Sequence, residues 1–295
     1  MAVKSSVTTG DPMSALEREE YIEQAYFFRA LRERLEEGQA TQTVLESIGE
    51  ELLSTTRLPM AVSFLAGEVK HSGLLSTGFS RLLHYFTPFQ AYVIEGTEDE
   101  KKRFEIGLGL LILQREAEYR ASGVTPAGLF VYQFEAMSRN RLGYDAGVRA
   151  MRGDPYFDAD WKAFLTDIIS QLGVIDFADL IFLRSQLYVC ERRRDDPEYQ
   201  PPLPPLFGEK EGKIARANSG RDPLYLFASL QRQLGYPEVP RPRPRDDLPS
   251  KLEALRVRLR DLEARMRVLE ADVKGTLDLS KLVDPEKLKR PDDEW

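Results

Sequence analysis

Residues 248–273 read LPSKLEALRVRLRDLEARMRVLEADV. Within them Leu248, Leu252, Leu255, Leu259, Leu262, Met266, Leu269 and Val273 are spaced alternately by four and three, so every core position of a heptad seam is apolar. That spacing lays one apolar stripe along an α-helix, the pattern of a coiled coil. It makes the C-terminal region helical and predicts that the stripe seeks another helix.

The charges beside the stripe choose an orientation. With Leu252, Leu259, Met266 and Val273 at a and the four remaining leucines at d, the g positions are Lys251, Arg258, Arg265 and Asp272, and the e positions are Arg256, Glu263 and Glu270. In a parallel homodimer each g residue faces the e residue five further along the second copy. Arg258 then meets Glu263, Arg265 meets Glu270, and only Lys251 against Arg256 repels. Antiparallel pairing would set Arg largely on Arg and Glu on Glu, so parallel self-association is the better match. Exposed pairs contribute about 0.2–1 kcal/mol each, so affinity must come from the leucines. Folding of the helix back on its own chain is the competing expectation.

Outward from the seam, Pro237 to Pro249 is a proline-rich spacer carrying Arg241, Arg243 and Arg245, and Asp222-Pro223 opens a short amphipathic helix near 222–235. Pro201-Pro202-Leu203-Pro204-Pro205 reads as extended polyproline, and Gly208 to Gly220 as a polar loop. Upstream, residues 13–195 show helical apolar periodicity throughout and no convincing period-two alternation. Helix starts are expected at Thr43 and Thr97 with a glutamate three residues on, at Thr87-Pro88 with Gln90, at Thr125-Pro126, at Asp158 and at Asp176. Gly107 and Gly109 mark an expected helix crossing, since glycine in a helix interior costs about 1 kcal/mol relative to alanine unless it allows close approach. The fold class is therefore all-α, a multi-helix antiparallel bundle with an irregular solenoid as the alternative arrangement. Residues 1–12 are expected to be disordered, 196–247 a linker, 248–274 the coiled-coil helix and 275–295 a flexible tail.

Composition bounds the class of protein. A chain of 295 residues with 42% hydrophobic residues can bury a substantial core, and a net charge of -7 gives no general attraction to nucleic acid or anionic lipid. The N-terminal segment has no apolar stretch of signal-peptide type, and the longest apolar run, Ile106 to Leu113, is too short to span a bilayer, so a cytoplasmic protein is expected. A single cysteine, Cys190, admits no intrachain disulfide and is expected as a small buried hydrophobe.

Candidate chemistry is sparse. Glu68 and His71 have the Glu-x-x-His spacing that places a carboxylate and an imidazole on one helix face, as in helical di-iron proteins, but Arg81 stands three before His84 where the second motif would need a glutamate. No metal or cofactor is expected, and His84, within His84-Tyr85-Phe86, reads as a hydrogen-bonded packing residue. Phosphate loops, G-x-S-x-G elbows and H-E-x-x-H pairs are missing. Glu116, and Glu135 with Arg139, either line a polar pocket or form i,i+4 pairs on solvated faces. Arg241 to Lys274 carries ten basic against seven acidic side chains but no aromatic residue for stacking bases, so nucleic acid is not an expected partner.

The expectation is a non-enzymatic helical scaffold or adaptor that binds a protein partner and self-associates through its C-terminal helix. The alternative is a helical-bundle enzyme or small-ligand or metal-binding protein with a polar site formed by Glu68, His71, Glu116 and Glu135.

Overall fold

The computed structural model describes residues 15–102, 104–242 and 248–273, and these form fourteen α-helices with no β-strand among them. The chain divides into two compact units, Met1–Pro242 and Arg243–Trp295. The segments expected to be disordered at 1–12 and flexible at 275–295, and the spacer residues 243–247, lie outside the described residues.

The first unit opens with α1 (Arg18–Glu36), α2 (Thr41–Glu51), α3 (Leu58–Ser72), α4 (Leu75–Arg81), α5 (Pro88–Glu98) and α6 (Ile106–Ala121). Its other helices are α7 (Pro126–Asn140), α8 (Tyr144–Arg152), α9 (Ala159–Gln171), α10 (Phe177–Leu183), α11 (Gln186–Asp195), α12 (Glu209–Asn218) and α13 (Pro223–Leu234). Capping chemistry sets many of the starts. Thr87 and Gln90 form a reciprocal capping box at α5, and the side chains of Thr125, Asp158 and Asp176 accept backbone N–H bonds at α7, α9 and α10.

Two expected starts are misplaced. Gly38, at φ 84°, turns the chain early enough that α2 begins at Thr41 behind Ala40, not at Thr43. Thr97 lies in the last turn of α5, its hydroxyl donating to the Ile94 carbonyl, and α6 opens only at Ile106. The connection between α5 and α6 carries Phe104 into the core. A Cβ at Gly96 would sit 3.7 Å from the Phe104 ring and one at Gly109 3.3 Å from it, so these two glycines leave the space the ring fills. Gly109 also lies against Thr97, which makes it a close approach of α6 to α5.

Helix pairing departs from simple neighbour stacking. The most extensive contact joins α1 to α6, five helices apart in sequence, and α7 packs on α13. One continuous core results. Phe130 lies at its centre, with ring centroids of Trp161, Phe164, Phe177 and Phe207 5.5–5.9 Å away, and Phe134 stacks on Phe177 at 3.9 Å. Such pairs contribute about 0.5–1.5 kcal/mol each beyond area burial.

The core does not end at residue 195. Phe207, Ala215, Leu226, Phe227, Leu230, Tyr236 and Val239, all within the stretch expected as linker, are buried in it. The polyproline segment leads into a short bridge: Leu206 and Phe207 donate backbone N–H bonds to the Arg184 carbonyl, and Gln186 N–H donates back to the Phe207 carbonyl. The stretch expected as a polar loop is α12, whose hidden face is Glu211, Gly212, Ala215 and Asn218. A face of small and polar residues buries little apolar area, so hydrophobic periodicity does not register it. The first part of the expected spacer is also pinned to this unit. Tyr236 donates its hydroxyl to Glu135, and Asn140 Nδ2 donates to the Pro240 carbonyl.

The second unit contributes α14 (Leu248–Val273), 26 residues or roughly 39 Å of helix.

Candidate functional site

Two places hold the residues that the sequence singles out. The first is α14. Its seam side chains Leu252, Leu255, Leu259, Leu262, Met266 and Leu269 are all 54–62% exposed, an unbroken apolar stripe open to solvent. The side chains of Leu248 and Val273, at either end of the stripe, lie outside the described residues. Arg256 pairs with Glu253 at 3.6 Å and Arg265 with Asp261 at 3.0 Å along the same helix. Arg258, Glu263 and Glu270 are exposed beside the stripe. Six Leu and Met side chains are thus exposed in heptad register along one face of an amphipathic helix.

The second place is the helical bundle, where the carboxylates expected at a polar site, Glu116 and Glu135 buried and Glu68 partly so, are each already engaged by an arginine. Glu68 receives Arg81 Nη1 at 2.5 Å, and the imidazole of His71 is exposed. Arg81 thus occupies the carboxylate that a di-metal site would require. Glu135 receives Arg139 Nε at 2.5 Å and the Tyr236 hydroxyl at 2.7 Å. Burial, with the Glu135 charge beside it, pushes Tyr236 well above the usual phenol range, so the phenol stays a hydrogen-bond donor. No three His, Cys, Asp or Glu side chains converge in metal-ligating geometry among the described residues.

Glu116 sits in a fully buried network. Its Oε1 accepts from Arg120 Nη2 at 2.6 Å, from Arg120 Nε at 2.9 Å and from Gln133 Nε2 at 3.2 Å. Arg120 also binds Asp154, and Glu116, Arg120 and Asp154 are all completely or nearly completely shielded from water. The Tyr21 ring covers the Arg120 guanidinium at 5.7 Å. Burial raises the Glu116 carboxyl above its usual range, partly offset by Arg120 and reinforced by Asp154. The expected i,i+4 pair Glu135–Arg139 is present and Glu116 pairs with Arg120 at the same spacing, but both carboxylates lie in the core and not on solvated faces. Asp154, Gln133 and Tyr236 carry no sequence signal, because they reach these carboxylates only through the tertiary fold.

An open groove of about 410 Å³ between α2 and α3 is lined by residues including Glu46, Gly49, Pro59, Ser63, Gly67 and Lys70. None of Glu68, His71, Glu116 or Glu135 reaches its lining. Two other expected roles are revised. Cys190 is exposed, because α11 turns Leu187 and Val189 inward. His84 is exposed too, because the turn after α4 directs Leu82, Tyr85 and Phe86 into the core.

No helix among the described residues is long and apolar enough to cross a membrane. The chain matches no protein-family model, no curated protein and no solved structure with which it was compared.

Proposed function

We propose that this chain is a non-enzymatic helical scaffold or adaptor, self-associating through α14 and presenting its helical bundle to a protein partner. The observation that carries this reading is the solvent-exposed seam from Leu252 to Leu269. Its flanking charges favour a second copy in parallel, with Arg258 against Glu263 of the partner subunit and Arg265 against Glu270 of the partner subunit. Burying the remaining surface of each seam leucine contributes on the order of 1–2 kcal/mol. The bundle supports the same reading, since each of Glu68, Glu116 and Glu135 is engaged by an arginine of its own chain.

The test is the mass of the full-length protein by light scattering, with and without Leu259→Asp and Leu262→Asp. The wild type should be an oligomer at about 100 μM, where a Kd of 1 μM leaves little monomer. The doubly substituted chain, with charges at adjacent a and d positions, should be a monomer with its bundle intact. A wild-type protein that is monomeric at that concentration, or a variant of unchanged mass, overturns the proposal.

A further inference from the structure

The donors around Glu116 are distributed unevenly. Oε1 takes three of them, two from Arg120 and one from Gln133, while Oε2 is buried and has none. Across the same contact Gln133 gives its Nε2–H to Glu116, yet its own Oε1 is buried with no donor. An ionised carboxylate would leave both oxygens as acceptors without partners, at about 1–3 kcal/mol each. A carboxylic acid facing a primary amide resolves both together: the amide N–H donates to the acid carbonyl, and the acid O–H donates to the amide carbonyl. The charge count agrees. Two carboxylates against one guanidinium leave the buried network at one negative charge, whereas one acid, one carboxylate and one guanidinium are neutral.

We propose that Glu116 is protonated on Oε2 in the folded protein and donates that O–H to Gln133 Oε1, so that the bundle takes a proton from solvent when it folds. The groups around it are Arg120 on α6 itself, Tyr21 from α1, Tyr132 and Gln133 from α7, and Asp154 between α8 and α9. Of these Arg120 and the Gln133 N–H favour the ionised form, and all of their bonds go to the oxygen assigned as carbonyl. Desolvation, the largest influence on this carboxyl, acts in the same direction as the proposal.

The consequence is a bundle whose core loosens as pH rises. The folded state holds the proton more tightly than the unfolded chain, so stability from this site is complete below the ordinary glutamate value of 4.5 and declines above it. Glu116→Gln places an N–H where the acid O–H is assigned and keeps the ring of hydrogen bonds. In denaturant titrations across pH, the wild type should fall behind Glu116→Gln by up to about tenfold in the folded-to-unfolded ratio for each pH unit above 4.5, until Glu116 ionises in the folded protein. A difference that is flat with pH, or that favours the wild type as pH rises, overturns the proposal. Should Glu116→Gln not fold, infrared spectroscopy of the wild type with carbon-13-labelled glutamate decides at about pH 6, where a solvated glutamate is ionised. A protonated-carboxyl band supports the assignment, and its absence refutes it.

Discussion

Arg120→Met tests whether the buried network is a matched set of charges. The substitution keeps a long apolar stem but removes both bonds to Glu116 Oε1, the pairing with Asp154 and the cation under the Tyr21 ring. Asp154 would retain only the Tyr156 N–H at 2.9 Å and would be a carboxylate at zero exposure without a counter-charge. Breaking a buried pair by removing one partner costs about 3–5 kcal/mol, against a total stability of about 5–15 kcal/mol for a typical domain. For a unit of this size that is a fall in Tm of roughly 6–20 °C. Arg120→Met combined with Asp154→Asn removes both charges and keeps an acceptor for Tyr156, so the pair together should cost less than about 2 kcal/mol. Chemical denaturation monitored by circular dichroism measures both. A single substitution costing under about 1 kcal/mol, or a combination equal to the sum of the two singles, would show that the groups are not coupled and refute the reasoning.

Two further substitutions probe how the C-terminal part of the first unit is held. Tyr236→Phe removes the hydroxyl that reaches Glu135 and the Phe227 carbonyl, and should cost about 1–3 kcal/mol in denaturant titrations while speeding hydrogen exchange in residues 234–240. Gly212→Ala would put a Cβ 2.8 Å from the Cβ atoms of both Ser185 and Leu187, and the overpacking should cost about 1–3 kcal/mol, measured by the thermal midpoint.

These sites also show which parts of the protein are legible along the chain. Local signals were sufficient where the deciding atoms are close in sequence. The capping box at Thr87, the αL turn at Gly38 and the stripe of α14 are settled within one or two helical turns. Glu116 with Arg120 and Glu135 with Arg139 could be paired from their spacing, but their burial could not, because it depends on which helices cover them. Phe207 illustrates the same limit. Set behind a proline run it resembles a linker residue, and only its place among Phe130, Trp161 and Phe164 makes it core. The face of α12 is silent for a related reason: Gly212 acts by leaving room for Ser185 and Leu187, and Glu211, Ala215 and Asn218 beside it add no large apolar side chain, so there is no hydrophobic periodicity to read.

By itself the sequence determined the all-α class and the continuous apolar edge of the last helix, since backbone preference and 3.6-residue periodicity are properties of neighbouring residues. The tertiary structure alone decided that α1 lies on α6, that residues 206–240 complete the core, and that Arg120 joins Glu116 to Asp154. Those pairings are set by which surfaces fit together once distant segments meet, and by the requirement that a buried charge find its partner wherever the chain has carried it.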